Sequence, residues 1–168
     1  MGSQVSDARR VMDAVRRLVR GLRLTSRSAE QRLGLSAAQL FVLESVASSP
    51  GCSLRDLAAR TATDPSSVSV VVGRLEERGL LTRRRSPKDG RLRELVLTAK
   101  GRVLLRKAPP AAQESLLRSL ALLGDEERST LSGLLERVVE GMGLGESPAP
   151  MFFESDARGS RARASRSA

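Results

Sequence analysis

Residues 55–101 read RDLAARTATDPSSVSVVVGRLEERGLLTRRRSPKDGRLRELVLTAKG. The segment predicts a short helix that a capping box of Ser53 and Asp56 opens and that ends near Arg60, then a turn, and a second helix that Asp64 caps and Pro65 begins. This second helix should end at Arg78-Gly79, because glycine readily adopts the left-handed conformation found after a helix. Two helices joined by a tight turn form a candidate helix-turn-helix, whose second helix can lie in the major groove of DNA.

A basic hairpin is predicted directly after this pair of helices. Two short apolar runs, Leu80–Arg83 and Leu92–Leu97, flank a turn-rich loop and indicate two strands. From Arg83 to Glu94 the chain carries six basic and two acidic side chains, a local charge of +4. Such a charge density favours an anionic partner, and a merely solvated hairpin is the alternative.

The remaining pattern is helical. A first helix is predicted from about Val5 to Arg32, and a second, capped by Ser36, from Ala37 to about Ala47. Thr98 should cap a long fifth helix that starts at Ala99 and is kinked or interrupted at Pro109-Pro110, and a sixth helix should follow Gly124-Asp125. We therefore expect a mainly α fold of six helices with a small β-hairpin wing, a winged helix-turn-helix.

The first helix has two contrasting faces. Apolar residues at 4-3-4 spacing share one face, and four arginines share roughly the opposite face. The arginine face is either exposed to solvent or lines a surface that binds a partner or an effector. The apolar set is Val11, Val15, Leu18 and Leu22, and the basic set is Arg16, Arg20, Arg23 and Arg27.

Composition excludes several classes of function. The 168 residues carry a formal charge of +10 and no His, Trp or Tyr. Without His there is no Ser-His-Asp or Cys-His nucleophile, and too few ligands remain for zinc, so we expect no enzyme, no metal and no cofactor. No apolar run approaches the ~20 residues of a membrane span and no signal core is present, so we expect a cytoplasmic protein without a membrane partner.

The single cysteine, Cys52, precedes the third helix. A helix N-terminus can lower the pKa of a thiol, so a sensing role is conceivable. No second cysteine is present to resolve an oxidised thiol, which favours an inert loop residue.

The start of the fourth helix carries small side chains that can enter a groove. Hydroxyl groups can donate to or accept from base edges and phosphates, whereas the alternative is a serine-rich, exposed helix start. Helical spacing turns Val68, Val71, Val72 and Leu75 towards the core. The candidate DNA-binding residues are Pro65, Ser66, Ser67, Ser69, Val70 and Arg74 on the helix, and Arg84, Arg85, Lys88, Asp89 and Arg91 on the hairpin.

Three motifs resemble the MarR family of bacterial transcriptional regulators: LEERGLL at 75–81, PKDGR at 87–91, and Leu97-Thr98 followed by Gly101. The resemblance extends over about Val5 to Met142. It implies a two-fold homodimer in which the first, fifth and sixth helices intertwine, and repression that a small, often phenolic, effector relieves. It also implies a recognition helix at Asp64–Arg78 and a wing at Arg83–Arg93, whose tip Arg91 enters the minor groove, steadied by Asp89.

The chain departs from this family at three places. Position 70, often Arg in relatives, is Val, which removes a bidentate contact to guanine. Position 73, often acidic, is Gly, which weakens a helix interior by ~1 kcal/mol relative to Ala. The first helix also lacks the cysteine that the redox-sensing branch keeps there.

These observations predict a dimeric, sequence-specific regulator of double-stranded DNA, a repressor released from a palindromic operator by a small molecule. The alternative is a basic winged-helix protein that binds nucleic acid nonspecifically and has no effector. Residues 1–142 should form one domain, with a DNA-binding lobe at about 36–97 and dimerisation helices at about 5–32 and 99–142. Residues 143–168 should form a flexible basic tail in which Phe152 and Phe153 are candidates for local docking.

Overall fold

The computed structural model of the chain describes residues 2–87, 90–144 and 151–152, with side chains from Ser6 onward. These residues form seven helices and one antiparallel hairpin, which confirms the predicted mainly helical fold with a wing. The elements are α1 (Gly2–Leu33), α2 (Ala37–Ser48), α3 (Leu54–Arg60), α4 (Pro65–Glu77), β1 (Leu81–Arg85), β2 (Arg93–Leu97), α5 (Ala99–Leu105), α6 (Ala112–Ala121) and α7 (Asp125–Gly141).

The helix starts follow the predicted caps. The Ser36 hydroxyl accepts from the Gln39 N–H at 3.2 Å, and the Gln39 side chain accepts from the Ser36 N–H at 3.1 Å. Ser53 and Asp56 form the same reciprocal pair at the start of α3. Each pair satisfies two N–H groups that the first turn of a helix would otherwise leave without acceptors, so sequence alone locates these helices well.

The predicted fifth helix is interrupted at its two prolines, which was one of the two expected alternatives, and the part beyond them is a separate helix. The chain leaves the helix after Leu105 and begins α6 at Ala112, which gives seven helices among the described residues instead of six. Pro109 and Pro110 lie in the gap, where proline lacks an N–H and restricts the residue before it. The Glu44 carboxylate of α2 stabilises the new start, because both of its oxygens lie 3.1 Å from the Ala111 N–H.

The core surrounds α2. This helix contacts α1, α4, β2, α5 and α6, so almost its entire surface is covered. Its buried apolar residues include Leu40, Phe41, Val42, Leu43 and Val46. Most of the core therefore lies within residues 35–97, where it fixes the position of α4, and Ala29, Ala111 and Met151 join it from outside that range.

The outer helices carry apolar side chains that nothing covers in the described part of the chain. Of the four apolar residues predicted to share a face of α1, only Leu22 is buried, and Val11 is 60% exposed. On α7 no residue is buried, and Leu134, Leu135 and Val138 are each more than half exposed. A single chain thus leaves two apolar faces in water, on the helices at either end of the described domain.

The Leu97-Thr98…Gly101 motif has a packing explanation. The Thr98 hydroxyl donates to the Gly79 carbonyl at 2.8 Å and accepts from the Gly101 N–H at 3.0 Å. A Cβ at Gly101 would lie well inside 3.0 Å of the Leu80 carbonyl oxygen, a clash with backbone. Only glycine lets α5 start directly against the backbone of Leu80, which lies three residues beyond the end of α4.

Part of the predicted tail is docked. Met151 is 4% exposed and belongs to the core, and the Gln113 side chain donates to the Phe152 carbonyl at 3.2 Å. Phe153 and most of the predicted tail lie outside the described residues. Among the residues that are described, no helix is long and apolar enough to cross a membrane.

Candidate DNA-binding surface

The fourth helix presents the predicted faces. Val68, Val71, Val72 and Leu75 are completely buried, as their spacing predicts. Pro65, Ser66 and Val70 are exposed on the opposite side, and Ser67, Ser69 and Arg74 are partly exposed. The candidate residues on this helix therefore lie at the surface, on a helix whose position the core fixes.

Asp64 organises the start of α4. Its Oδ1 accepts from the backbone N–H groups of Ser66 and Ser67 at 2.9 and 3.0 Å, and the Ser66 hydroxyl donates to the same oxygen in a short hydrogen bond. The hydroxyl of Ser66, then that of Ser67, holds the pKa of Asp64 well below its usual range. The carboxylate stays ionised and orients both serines at the tip of the helix.

The outward face of α4 carries small side chains from Ser66 to Gly73, and the exposed Glu77 lies on the same face at the end of the helix. Ser66, Ser69, Val70 and Gly73 follow one another at helical spacing, so they form one strip. A Cβ at Gly73 would have no neighbour within 4 Å, so packing inside the chain does not require glycine there. A strip without long side chains lets the helix backbone approach a ligand closely.

Two carboxylates hold side chains of the wing, and one of them, Glu76, joins the wing to α4. Strands β1 and β2 pair so that Arg84 lies opposite Glu94, and the Arg84 Nε is 3.2 Å from the Glu94 carboxylate. Ser86 donates to the other Glu94 oxygen at 2.7 Å, and Arg83 pairs with Glu76 of α4 at 3.3 Å. Two of the wing arginines are therefore engaged with the protein itself, and one of them joins the wing to the recognition helix.

The turn before α3 extends the hairpin on its other side. The Gly51 N–H donates to the Leu95 carbonyl at 3.2 Å, and the Leu95 N–H donates to the Cys52 carbonyl at 2.9 Å. Gly51 has a φ of +84° and faces the Glu94 carboxylate, so a side chain there would be strained. Sequence analysis missed this bridge, whose only local signal is the glycine after Pro50.

Two arginines on the wing face each other without a carboxylate between them. Arg85 and Arg93 are partners in the strand register, both exposed, and neither forms an ion pair within the described residues. Like charges directly opposite each other destabilise a hairpin. An anion bound between them removes that cost, so Arg93 joins the candidate residues although sequence analysis did not select it.

The tip of the wing is only partly described. Arg91 is exposed at the surface. Lys88 and Asp89 lie outside the described residues, and so does the predicted pairing of Asp89 with Arg91.

Cys52 is buried, and the burial, followed by the nearby Asp56 carboxylate, raises the pKa of its thiol. The thiolate is the reactive form, so a raised pKa and a covered sulfur both disfavour oxidation near neutral pH. The structure supports the inert interpretation of this residue.

An open cleft of about 440 Å³ lies between α2, β2 and α5 and combines apolar walls with Arg102 and Arg106. The four arginines of the basic face of α1 lie instead on an open surface of that helix, with no other described element opposite them.

The chain is similar to known transcriptional regulators. A family model described as MarR family matches residues 33–92. The HTH-type transcriptional regulator BilQ of Clostridium symbiosum is 34% identical over 115 residues, which cover 68% of this chain and 80% of that protein. The HTH-type transcriptional repressor Rv2887 of Mycobacterium tuberculosis is 30% identical over 106 residues, which cover 63% of this chain and 76% of the repressor.

A solved structure gives the same result. BpsR of Bordetella bronchiseptica, whose DNA binding is described as regulated by 6-hydroxynicotinic acid, aligns with a TM-score of 0.51 and 30% identity. The alignment covers 77% of this chain and 98% of BpsR. Sequence and fold therefore point to one family.

Proposed function

The chain belongs to the MarR family of winged helix-turn-helix transcriptional regulators, and we propose that it is a repressor that binds a specific sequence of double-stranded DNA. One observation carries the proposal: the Arg83–Glu76 ion pair joins α4, with its small outward strip, to a wing on which Arg85 faces Arg93 without a carboxylate partner among the described residues. The relative Rv2887 is a transcriptional repressor, which supports repression as the direction of regulation.

The proposed reading of DNA divides between two elements. Pro65, Ser66, Ser67, Ser69 and Val70 would contact base edges in the major groove, with Arg74 further along the same helix. Serines and one valine provide few hydrogen bonds, so this helix alone gives limited discrimination.

The wing would supply the rest. Arg91 would enter the minor groove, where a narrow, A·T-rich groove attracts arginine, with Asp89 steadying it. Arg84, Arg85 and Lys88 would contact phosphates, and we add Arg93 because it faces Arg85.

We propose that the functional unit is a two-fold homodimer. The exposed apolar faces of α1 and α7 lie on the predicted dimerisation helices, and a second copy would remove both from water. In this arrangement residues 1–142 form one domain, and two recognition helices read half-sites about one helical turn, ~10 bp, apart.

We also propose that a small molecule releases the repressor from DNA. The effect that 6-hydroxynicotinic acid has on BpsR supports this for a protein of the same fold and 30% identity. The cleft between α2, β2 and α5 offers space for such a molecule.

We propose that the protein acts in the cytoplasm, where bacterial DNA lies.

Selection of bound sequences from random duplex DNA tests the proposal. We expect a near-palindrome with A·T-rich flanks, bound at least ~10³-fold more tightly than scrambled DNA at fixed salt. A ratio near one, with affinity governed by salt alone, would instead establish the nonspecific alternative.

A further inference from the structure

The exposed apolar side chains of the described residues fall into two groups. Most lie outside residues 35–97, chiefly on α1 and α7, whose apolar faces the proposed second copy would cover. Among the described residues of 35–97, only Val70 and Leu92 are large, apolar and exposed, at 47% and 53%. Val70 belongs to α4 and Leu92 to the wing, so a dimer formed through α1 and α7 would leave both in water.

Val70 lies in the middle of the outward strip of α4. Its neighbours three and four residues away, which share this side of the helix, are Ser66, Ser67, Gly73 and Arg74. Three of these are small, and the space around Gly73 is open. A surface that approaches the strip therefore meets the methyl groups of Val70 as its apolar contact.

The major groove of DNA offers one apolar group among its base edges. Guanine, adenine and cytosine present hydrogen-bonding atoms there, whereas thymine adds a C5-methyl group beside its carbonyl oxygen. A valine placed against a polar edge displaces water without replacing its hydrogen bonds, which is unfavourable. Against a thymine methyl group, the same valine removes apolar surface from water on both partners. An exposed valine in this groove thus favours one base over the other three.

We propose that Val70 determines specificity for thymine by packing against its C5-methyl group in the major groove. This inference rests on the DNA-binding function proposed above and names the base that this side chain selects. The opposite face of α4 is held in the core by Val68, Val71, Val72 and Leu75. Rotation of the helix about its axis would expose these four side chains, so Val70 stays on the outward side.

Replacement of single thymines with uracil in the operator tests the contact. Deoxyuridine lacks the C5-methyl group but keeps the hydrogen-bonding atoms of thymidine, so the change is confined to apolar surface. The duplex is the one selected from random DNA, and each thymine is replaced in turn. With the full wild-type chain, we expect at least one replacement in each half-site to weaken binding about threefold to fivefold, as burial of one methyl group allows.

Val70→Ala identifies the replacements that report on the valine. At those positions the variant should bind the thymine and uracil duplexes about equally, because the side chain that packs against the methyl group has been truncated. Val70 is half-exposed and lies outside the buried cluster, so the variant should keep the fold of the wild-type chain.

Leu92→Ala is the matched control, since it truncates the other exposed apolar side chain of the lobe. The minor groove, which the wing is proposed to enter, carries no methyl group. Whatever this change does to the overall affinity, the difference between the thymine and uracil duplexes should be as large as in the wild-type chain.

Three results would overturn the inference. The wild-type chain could bind the thymine and uracil duplexes equally at every position, or Val70→Ala could show the same differences as wild type. Leu92→Ala could also remove the difference, which would then report on the shape of the DNA and not on a contact with Val70. In each case a selected operator still exists, so the proposed repressor function stands. If selection returned no preferred sequence, the proposed function and this inference would fail together.

Discussion

Arg85 lies directly opposite Arg93 across the wing, and neither is paired with a carboxylate within the described residues. On the same hairpin the neighbouring pair, Arg84 and Glu94, is held together at 3.2 Å. Two adjacent cross-strand pairs of the hairpin thus differ in charge. The Arg84–Glu94 pair is neutralised within the protein, whereas the Arg85–Arg93 pair is suited to a bound anion.

Replacing Arg85 or Arg93 with alanine should weaken binding about equally at all DNA sites. If each meets one phosphate, each substitution should lower the slope of log affinity against log salt by about 0.9. The stability of the free protein should stay the same or rise slightly, because a like-charge repulsion is removed. Titrations at several salt concentrations, with urea unfolding as the second measurement, check both effects. If the slope of log affinity against log salt stayed unchanged, Arg85 and Arg93 would not contact phosphates.

Arg91→Ala should behave differently, because a minor-groove contact senses the shape of the DNA. We expect a loss of roughly 1–3 kcal/mol at A·T-flanked sites and a smaller loss at G·C-flanked ones. Competition between two operators that differ only in their flanks measures the difference. Equal losses of affinity at both kinds of site would mean that Arg91 contacts only phosphates and does not sense the shape of the minor groove.

Two glycines should respond in opposite ways to alanine. Gly101→Ala should lower the free energy of unfolding by about 1–3 kcal/mol or more, because the added methyl meets the Leu80 carbonyl. Gly73→Ala should raise it by about 0.5–1 kcal/mol, since the helix gains propensity and nothing lies within 4 Å of the new atom. Chemical denaturation of the matched pair decides the point, and a stable Gly101→Ala variant would contradict the packing described here.

Val138→Asp should convert the proposed dimer into monomers. Val138 is 58% exposed in the single chain, so a charge there costs little unless a second copy covers it. Light scattering at micromolar concentration measures the mass. Leu122→Asp, at a residue that is 88% exposed, is the matched control and should remain dimeric. A folded wild-type monomer would contradict the dimer directly.

Glu44 predicts a dependence of stability on pH. Burial, opposed by the hydrogen bond from Ala111, raises the pKa of this carboxyl above its ordinary 4.5. A group whose pKa is raised on folding contributes stability that is fully present below the unfolded pKa and is lost as pH rises through the folded value. Wild type should therefore gain stability relative to Glu44→Gln as pH falls from 7 towards 4.5. The free energies of unfolding of both proteins can be measured with urea across this range. If the difference between them stayed constant, the raised pKa of Glu44 would be contradicted.

The sequence predicted the features that depend on local pattern. The inward face of α4, the caps at Ser36, Ser53 and Asp64 and the glycine after the recognition helix all follow from spacing and residue type. The strand register was not predictable to one residue, so the pairing of Arg84 with Glu94 and the opposition of Arg85 and Arg93 were missed.

Contacts between distant segments were also beyond the sequence. The bridge from Gly51 and Cys52 to Leu95, and the Glu44 carboxylate at the start of α6, join residues far apart in the chain. The periodicity of apolar residues in the sequence does not predict such contacts. The break before α6 was indicated by its prolines, although the sequence pattern did not reveal that a complete new helix begins there.

The hydrogen bond from Ser66 to Asp64 has a consequence for which bases the helix prefers. A free serine hydroxyl is ambivalent, because it can donate to one base and accept from another. With its proton committed to Asp64, Ser66 keeps only lone pairs to offer. At the proposed interface it would then match the amino groups of adenine and cytosine and disfavour the carbonyl edges of guanine and thymine. The Asp64 carboxylate would thereby make a side chain that can pair with any base into a selective one.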